Sequence, residues 1–147
     1  MKPFKSILFC TLMVILVAAC GPKTVAEAFV FEGNNPYAPQ AGDGDLIYGD
    51  ITMDSSAVFL MESQPPQMMV NFSYFQPTPC HQLRVEVSGP DDKNQINLKA
   101  YVLAEKDVPC TLTALATPLP ASLSLGSLPS GHYFVFLNGN QIGEFDV

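Results

Sequence analysis

Apolar side chains fall on every second residue across two successive runs near the middle of the chain. Leu83, Val85 and Val87 alternate with Gln82, Arg84 and Glu86. After Gly89-Pro90-Asp91-Asp92-Lys93-Asn94, the residues Ile96, Leu98, Ala100 and Val102 alternate with Asn97, Lys99 and Tyr101. A period of two marks a half-buried strand. The intervening residues favour a chain reversal, so the pair predicts a β-hairpin. One register sets Glu86 opposite Lys99 and Arg84 opposite Tyr101, matching charge with charge and cation with ring. A slip of two residues would set Arg84 against Lys99.

The rest of the C-terminal two thirds reads the same way. Residues 46–53 and 57–61 predict two short strands parted by Asp54-Ser55-Ser56. Gln67–Phe75 places Met68, Val70, Phe72 and Tyr74 on one face. Residues 122–126 follow Pro118 and Pro120, which suits a sheet edge. His132–Leu137 and 141–147 flank Asn138-Gly139, a strong two-residue hairpin signal. Thirteen prolines and ten glycines in 147 residues disfavour long helices. Charged residues are 14% of the chain, against ~25% in ordinary soluble domains, which argues against a disordered tail or a coiled coil. The formal charge of -7 would repel a phosphate backbone, so no nucleic-acid partner is expected. Seven or eight short strands in about 100 residues predict an all-β antiparallel sandwich over residues 46–147.

The N-terminus is of another kind. Lys2 and Lys5 precede an apolar run over residues 7–17 interrupted only by Thr11, too short for a settled span of ~20 residues. The run closes on Val17-Ala18-Ala19-Cys20, which resembles the lipobox of bacterial lipoproteins. The resemblance implies cleavage before Cys20, a diacylglycerol on its thiol and acylation of the new amino group, and several acyl chains hold a membrane stably. Residues 1–19 would be a signal peptide and 20–45 a lipid-anchored tether. The product would sit on the cell membrane or outer membrane, facing the periplasm or the exterior. Gly21 after the Cys, where an Asp is absent, resembles lipoproteins passed on to the outer membrane. Loss of Lys2 and Lys5 leaves 5 basic against 14 acidic residues, a charge of -9. Gly, Pro, Asn and Ala dominate the tether, which as a coil would reach ~25–30 Å. Phe29-Val30-Phe31 is too apolar for a plain linker and could add an edge strand.

With Cys10 removed and Cys20 acylated, Cys80 and Cys110 remain, and outside the cytoplasm that pair predicts a structural disulfide. Its loop of about 30 residues would contribute ~3–4 kcal/mol in the chain-entropy model. The motif Leu128-Pro129-Ser130-Gly131-His132-Tyr133 resembles the corner before the penultimate strand of immunoglobulin and fibronectin type III domains. The resemblance implies that Tyr133, two residues after Gly131, returns its hydroxyl to the backbone near the preceding turn. The chain has no Trp and its cysteines bracket none, so immunoglobulin-like describes an architecture here. The stretch DSSAVFLMESQPPQMMVNF resembles a pattern in bacterial surface lipoproteins that carry no assigned activity.

Chemistry-bearing residues are sparse. His81 and His132 lie in no HExxH or GxSxG signature, and no phosphate-binding glycine loop occurs, so the chain does not read as an enzyme. His81 falls at a strand end as a partly buried residue bonded to backbone, and His132 faces solvent in a turn. Asp43-Gly44-Asp45, with Asp50 and Asp54 beyond, reads as a solvated acidic linker, lacking EF-hand spacing for calcium. Thioethers and imidazole together suit Cu(I), which makes Met61 and His81 weak metal candidates. Met68 and Met69 are adjacent in a strand and face opposite ways, so Met as core filler is the plainer reading, and no cofactor is expected.

Phe134 and Phe136 alternate with Tyr133, Val135 and Leu137, making a strand apolar on both faces. Either residues 112–120 or 29–31 cover the two rings, or they form a protein-binding surface. The expected function is a non-catalytic, lipid-anchored module that binds another extracytoplasmic protein or supports the envelope, held to the membrane through Cys20. Alternatives are a protease inhibitor of the chagasin type, whose Asn-Pro-Thr-Thr-Gly loop is matched only by Asn35-Pro36, and a periplasmic Cu(I) chaperone.

Overall fold

The computed structural model describes residues 30–110 and 116–147. Residues 1–29, which include the expected signal peptide, Cys20 and Phe29, lie outside the described residues, as do residues 111–115.

Alternation becomes eight strands in two packed sheets. In chain order they are β1 (Ile47–Gly49), β2 (Thr52–Met61), β3 (Gln67–Phe75), β4 (Gln82–Ser88), β5 (Gln95–Ala104), β6 (Leu119–Gly126), β7 (His132–Leu137) and β8 (Asn140–Asp146). One sheet runs β2-β3-β6. In the other, β5 is central: β4 pairs along one side, while β7 and β1 share the other, with β8 beyond β7. Every pairing is antiparallel except β5 with β7, which is parallel. The architecture is the expected β-sandwich.

The core forms where alternation predicts it. Met68, Val70, Phe72 and Tyr74 of β3 face Leu83 and Val85 of β4, Ile96, Leu98, Ala100 and Val102 of β5, and Val135 and Leu137 of β7, all buried in one cluster. The β4–β5 register sets Glu86 opposite Lys99 and Arg84 opposite Tyr101, as charge matching requires. The side chains choose other partners, however. Lys99 lies 5.5 Å from the ring centre of Tyr48 and 5.3 Å from that of Tyr101, and Glu86 accepts a 2.9 Å hydrogen bond from the Tyr101 hydroxyl.

The structure moves three expected boundaries. Asp54-Ser55-Ser56 does not break the chain into two strands; β2 runs through it with a bulge between Met53 and Ser55. The polar side chains are satisfied across the sheet, where the Ser55 and Ser73 hydroxyls lie 2.7 Å apart and Ser73 donates to Asp54 at 2.7 Å. The break comes earlier, at Asp50 and Ile51, where the chain passes from one sheet to the other. β6 begins at Leu119, ahead of the expected 122, with Pro120 at the sheet's edge.

Residues 31–45 were expected in the tether and instead pack on the domain as a strap. Ser124 N–H donates to Asn34 O and Val85 N–H to Tyr37 O, both at 2.8 Å, while Asn35 Nδ2 donates to Val85 O at 2.8 Å. β4 and β6 are the two sheets' open margins on this side, so the strap bridges them and places Phe31 and Tyr37 against the core. Val30 remains 78% exposed, and no strand is assigned at residues 30–31.

Two turns have clear local causes. Asn138 (φ 48°) and Gly139 (φ 82°) adopt left-handed conformations in the β7–β8 hairpin, the geometry that favours Asn-Gly. The Asn138 amide also donates to Ala100 O and accepts from Ala100 N–H, at 2.9 and 2.8 Å, so a side chain extends the ladder towards β5. At the other end of β7, Tyr133 donates its hydroxyl to Pro129 O at 2.9 Å. A Cβ on Gly131 would come within 3.3–3.4 Å of the Tyr133 ring, so the smallest residue lets the ring lie flat against the corner.

Candidate functional site

Strand directions give the sandwich two distinct ends. At one lie the β2–β3 turn, the β4–β5 turn, the β6–β7 corner and Val30. At the other lie the β3–β4 and β5–β6 connections, while the β7–β8 hairpin stops part-way along β5, beside Ala100. Cys80 and Cys110 form a disulfide across the two long connections at this second end, with Cα atoms 5.9 Å apart.

The disulfide forms one wall of a cleft of about 460 Å³ lined by Thr78, Cys80, His81, Gln82, Ala104, Glu105, Val108 and Cys110, within the size range of small-molecule and peptide pockets. His81 Nδ1 lies 2.9 Å from the Thr78 hydroxyl and 3.2 Å from the Thr78 carbonyl oxygen, a contact that fixes the ring in the cleft wall. Val108 stands 58% exposed beside it, and Ile47 and Tyr48 of β1, paired with Ala104 and Leu103, are 51% and 50% exposed. Val108 thus edges a pocket whose two walls are tied covalently, with Ile47 on the strand paired to its Ala104 wall, a preorganised arrangement that suits binding. Tyr48 turns to the opposite face of β1.

Behind the cleft, residues 40–46 cross the outer face of β4 and β5. Asp43, in a short 3-10 turn (Asp43–Asp45), accepts from Arg84 Nε at 2.8 Å and Nη2 at 2.9 Å. Arg84 also donates to Leu83 O and to Gln82 Oε1, at 3.0 and 3.2 Å. Outward parity predicts an exposed Arg84, yet it is buried, because this crossing covers it. The bidentate bond with Arg84 holds the Asp43 carboxyl below its usual range, aided by the Gln40 N–H. Asp43 is therefore an ion-pair partner and not a loose member of an acidic linker. Tyr101, covered by the same crossing and stacked on Tyr48 at 4.8 Å, is pushed up to about 12, first by burial and then by its bond to Glu86.

A larger hollow of about 580 Å³ lies on the outer face of β2-β3-β6, among Ser55, Ala57, Phe59, Asn71, Ser73 and Ser122. Four of its polar side chains are already engaged: Ser55 with Ser73, Ser73 with Asp54, and Ser122 with Asn71 at 2.6 Å. Self-satisfied groups offer a ligand little, and we place the site at the smaller, disulfide-walled cleft.

Other residues singled out in the sequence are dispersed. Met61 closes β2 at the Val30 end, whereas His81 precedes β4 at the disulfide end, so the two stand about a strand length apart, ~25 Å or more, and cannot share an ion. No group of three metal-ligating His, Cys, Asp or Glu side chains occurs among the described residues. His132 is exposed and lies 2.8 Å from Asp146.

Phe134 and Phe136 are half-buried on the outer face of β7. In register beside them lie Gln95 and Asn97 of β5 and Glu144 and Gln141 of β8. Polar residues flank the pair on both neighbouring strands, so the apolar surface there is confined to the width of β7. Phe31 does not cover them; it packs near Val85, Val87 and Leu125 at the opposite margin. Sequence reasoning missed Ile47, Tyr48 and Val108, whose exposure follows from neighbours remote in sequence. The only available signal was that the cysteines draw residues 76–82 and 104–110 together.

Among the described residues, no helix is long and apolar enough to cross a membrane. No family model matches the chain, and no curated protein or solved structure matches it either.

Proposed function

We propose that this chain is a lipid-anchored, extracytoplasmic β-sandwich that works without catalysis, presenting its disulfide-walled end to a partner protein. The observation that carries the reading is the course of the strap, which brings Val30 to the end opposite the cleft. An anchor at Cys20 would then hold one end of the sandwich near the bilayer and turn the cleft outward. Supporting features are the leader and its Val17-Ala18-Ala19-Cys20 motif, the Cys80–Cys110 disulfide suited to an oxidising compartment, and the exposed Val108 in the cleft wall with exposed Ile47 on the strand beside it. Loop ends of sandwiches are common binding sites because a rigid scaffold positions variable segments.

The test is capture from native membranes with the full acylated chain as bait. Val108→Glu should abolish retention of any partner that Phe134→Ser/Phe136→Ser still retains. The opposite pattern would move the binding surface to the outer face of β7. Mass spectrometry of Cys20, and release of Cys20→Ser into the soluble fraction, test the anchor separately.

A further inference from the structure

Three consecutive large apolar side chains stay exposed at the end of β2: Phe59 at 48%, Leu60 at 43% and Met61 at 50%. They lead into the β2–β3 turn, where Pro65 shares a hollow with Val30, Glu32 and Ser127. The apolar run and the first described residue of the strap therefore stand at the same end. The face bearing Phe59 and Met61 is almost uncharged, continuing through Met69, Asn71, Ser73, Ser122 and Ser124 of β3 and β6, with Glu62 beside the run and Asp54 at the far end of β2. A long edge strand exposing such a run is an association hazard in free solution.

We infer that Phe59, Leu60 and Met61, with Val30 and Pro65, rest in the headgroup region of the bilayer that holds the chain. The inference depends on the anchor at Cys20 proposed above. Ten Cα steps separate Cys20 from Val30, a contour of at most ~33–36 Å. β2, at 10 residues, is itself ~33 Å long. The Val30 end is thus within reach of the bilayer, while the disulfide end meets it only if every step is fully extended along the molecule. Charge decides the kind of contact. Glu32, Glu62, Asp91, Asp92 and Asp146 outnumber Lys93 and His132 at this end, so attraction to anionic headgroups is not available. The contact is apolar side chains entering a zwitterionic surface.

The chain contains no Trp, so Phe59→Trp and Met61→Trp each install a single fluorescent reporter. Val108→Trp places a reference at the disulfide end. The full-length acylated variants go into phosphatidylcholine vesicles with and without bromine on the acyl chains. The expected result is a blue shift and strong quenching by brominated lipid at positions 59 and 61, little at 108, and persistence in high salt. Equal quenching at 59, 61 and 108, in protein whose Cys20 acylation is confirmed by mass, overturns the contact and leaves the anchor standing. Absence of the acyl mass overturns both. The unsubstituted chain supplies a second readout: a photoactivated lipid should label the peptide containing 59–61 and spare the one containing 105–110. The reverse labelling sinks the inference.

Discussion

Arg84 has the parity of a solvent-facing side chain and the exposure of a core one, because residues 40–46 lie over it. The same cover changes Tyr101. Burial and donation to Glu86 favour its neutral form, so its folded pKa of about 12 stands above the 10.0 of a free tyrosine. The unfolded chain therefore releases this proton first, and the stability associated with neutral Tyr101 is present below pH 10 and lost as pH rises towards about 12. Ultraviolet titration of phenolate should show a late-ionising tyrosine that Tyr101→Phe removes, and the variant's unfolding midpoint should fall less steeply over that range. Tyr74, raised by its own burial, persists in the variant. Some residue roles were legible: the Gly131–Tyr133 corner and the half-buried His81 follow from local spacing. Others were not, since the pairing of Lys99 with two rings requires Tyr48 to arrive from a distant segment.

Among elements, the strap shows best where local pattern runs out. Its residues have no period, yet Asn34 and Tyr37 engage β6 and β4 through backbone carbonyls that any residue could offer, and only Asn35 adds a side-chain bond, from its Nδ2 to Val85 O. Close approach sets one sharp requirement. A Cβ on Gly33 would fall 2.0 Å from Ser124 O, while Gly126, at φ 77°, meets the strap from the other side. Gly33→Ala should force the strap off β6, cost about 1–3 kcal/mol as overpacking does, and expose residues 31–45 to proteolysis before the sandwich unfolds. Limited proteolysis with mass mapping checks this, and unchanged resistance would mean that the margin relaxes to accept the methyl. β3, β4 and β5 were readable because their apolar residues alternate, and β7 because Asn138-Gly139 marks the turn that ends it. β2 was not, because Asp54-Ser55-Ser56 has the composition of a turn and becomes a bulged strand only when Ser73 supplies its partners.

At the scale of the whole molecule, one covalent link closes the end proposed for binding. Replacing both cysteines by alanine should lower stability by ~3–4 kcal/mol, the loop-closure contribution for a separation of 30. Partner capture should weaken as well, because the cleft loses a wall. Denaturant unfolding with and without reductant measures the first effect, and a difference near zero would mean that the connections stay ordered without the bond. The sequence alone settled that this is a β-sandwich, which side chains enter its core, how β4 registers on β5 and where β7 turns into β8. All of these follow from period, turn chemistry and charge between residues near one another in the chain. Only the tertiary structure decided that β5 lies parallel to β7, that Arg84 is covered, that 31–45 belongs to the domain and that Met61 and His81 stand at opposite ends. Alternation reveals which face of a strand is buried, but the choice of its lateral neighbour belongs to backbone groups that are alike at almost every residue.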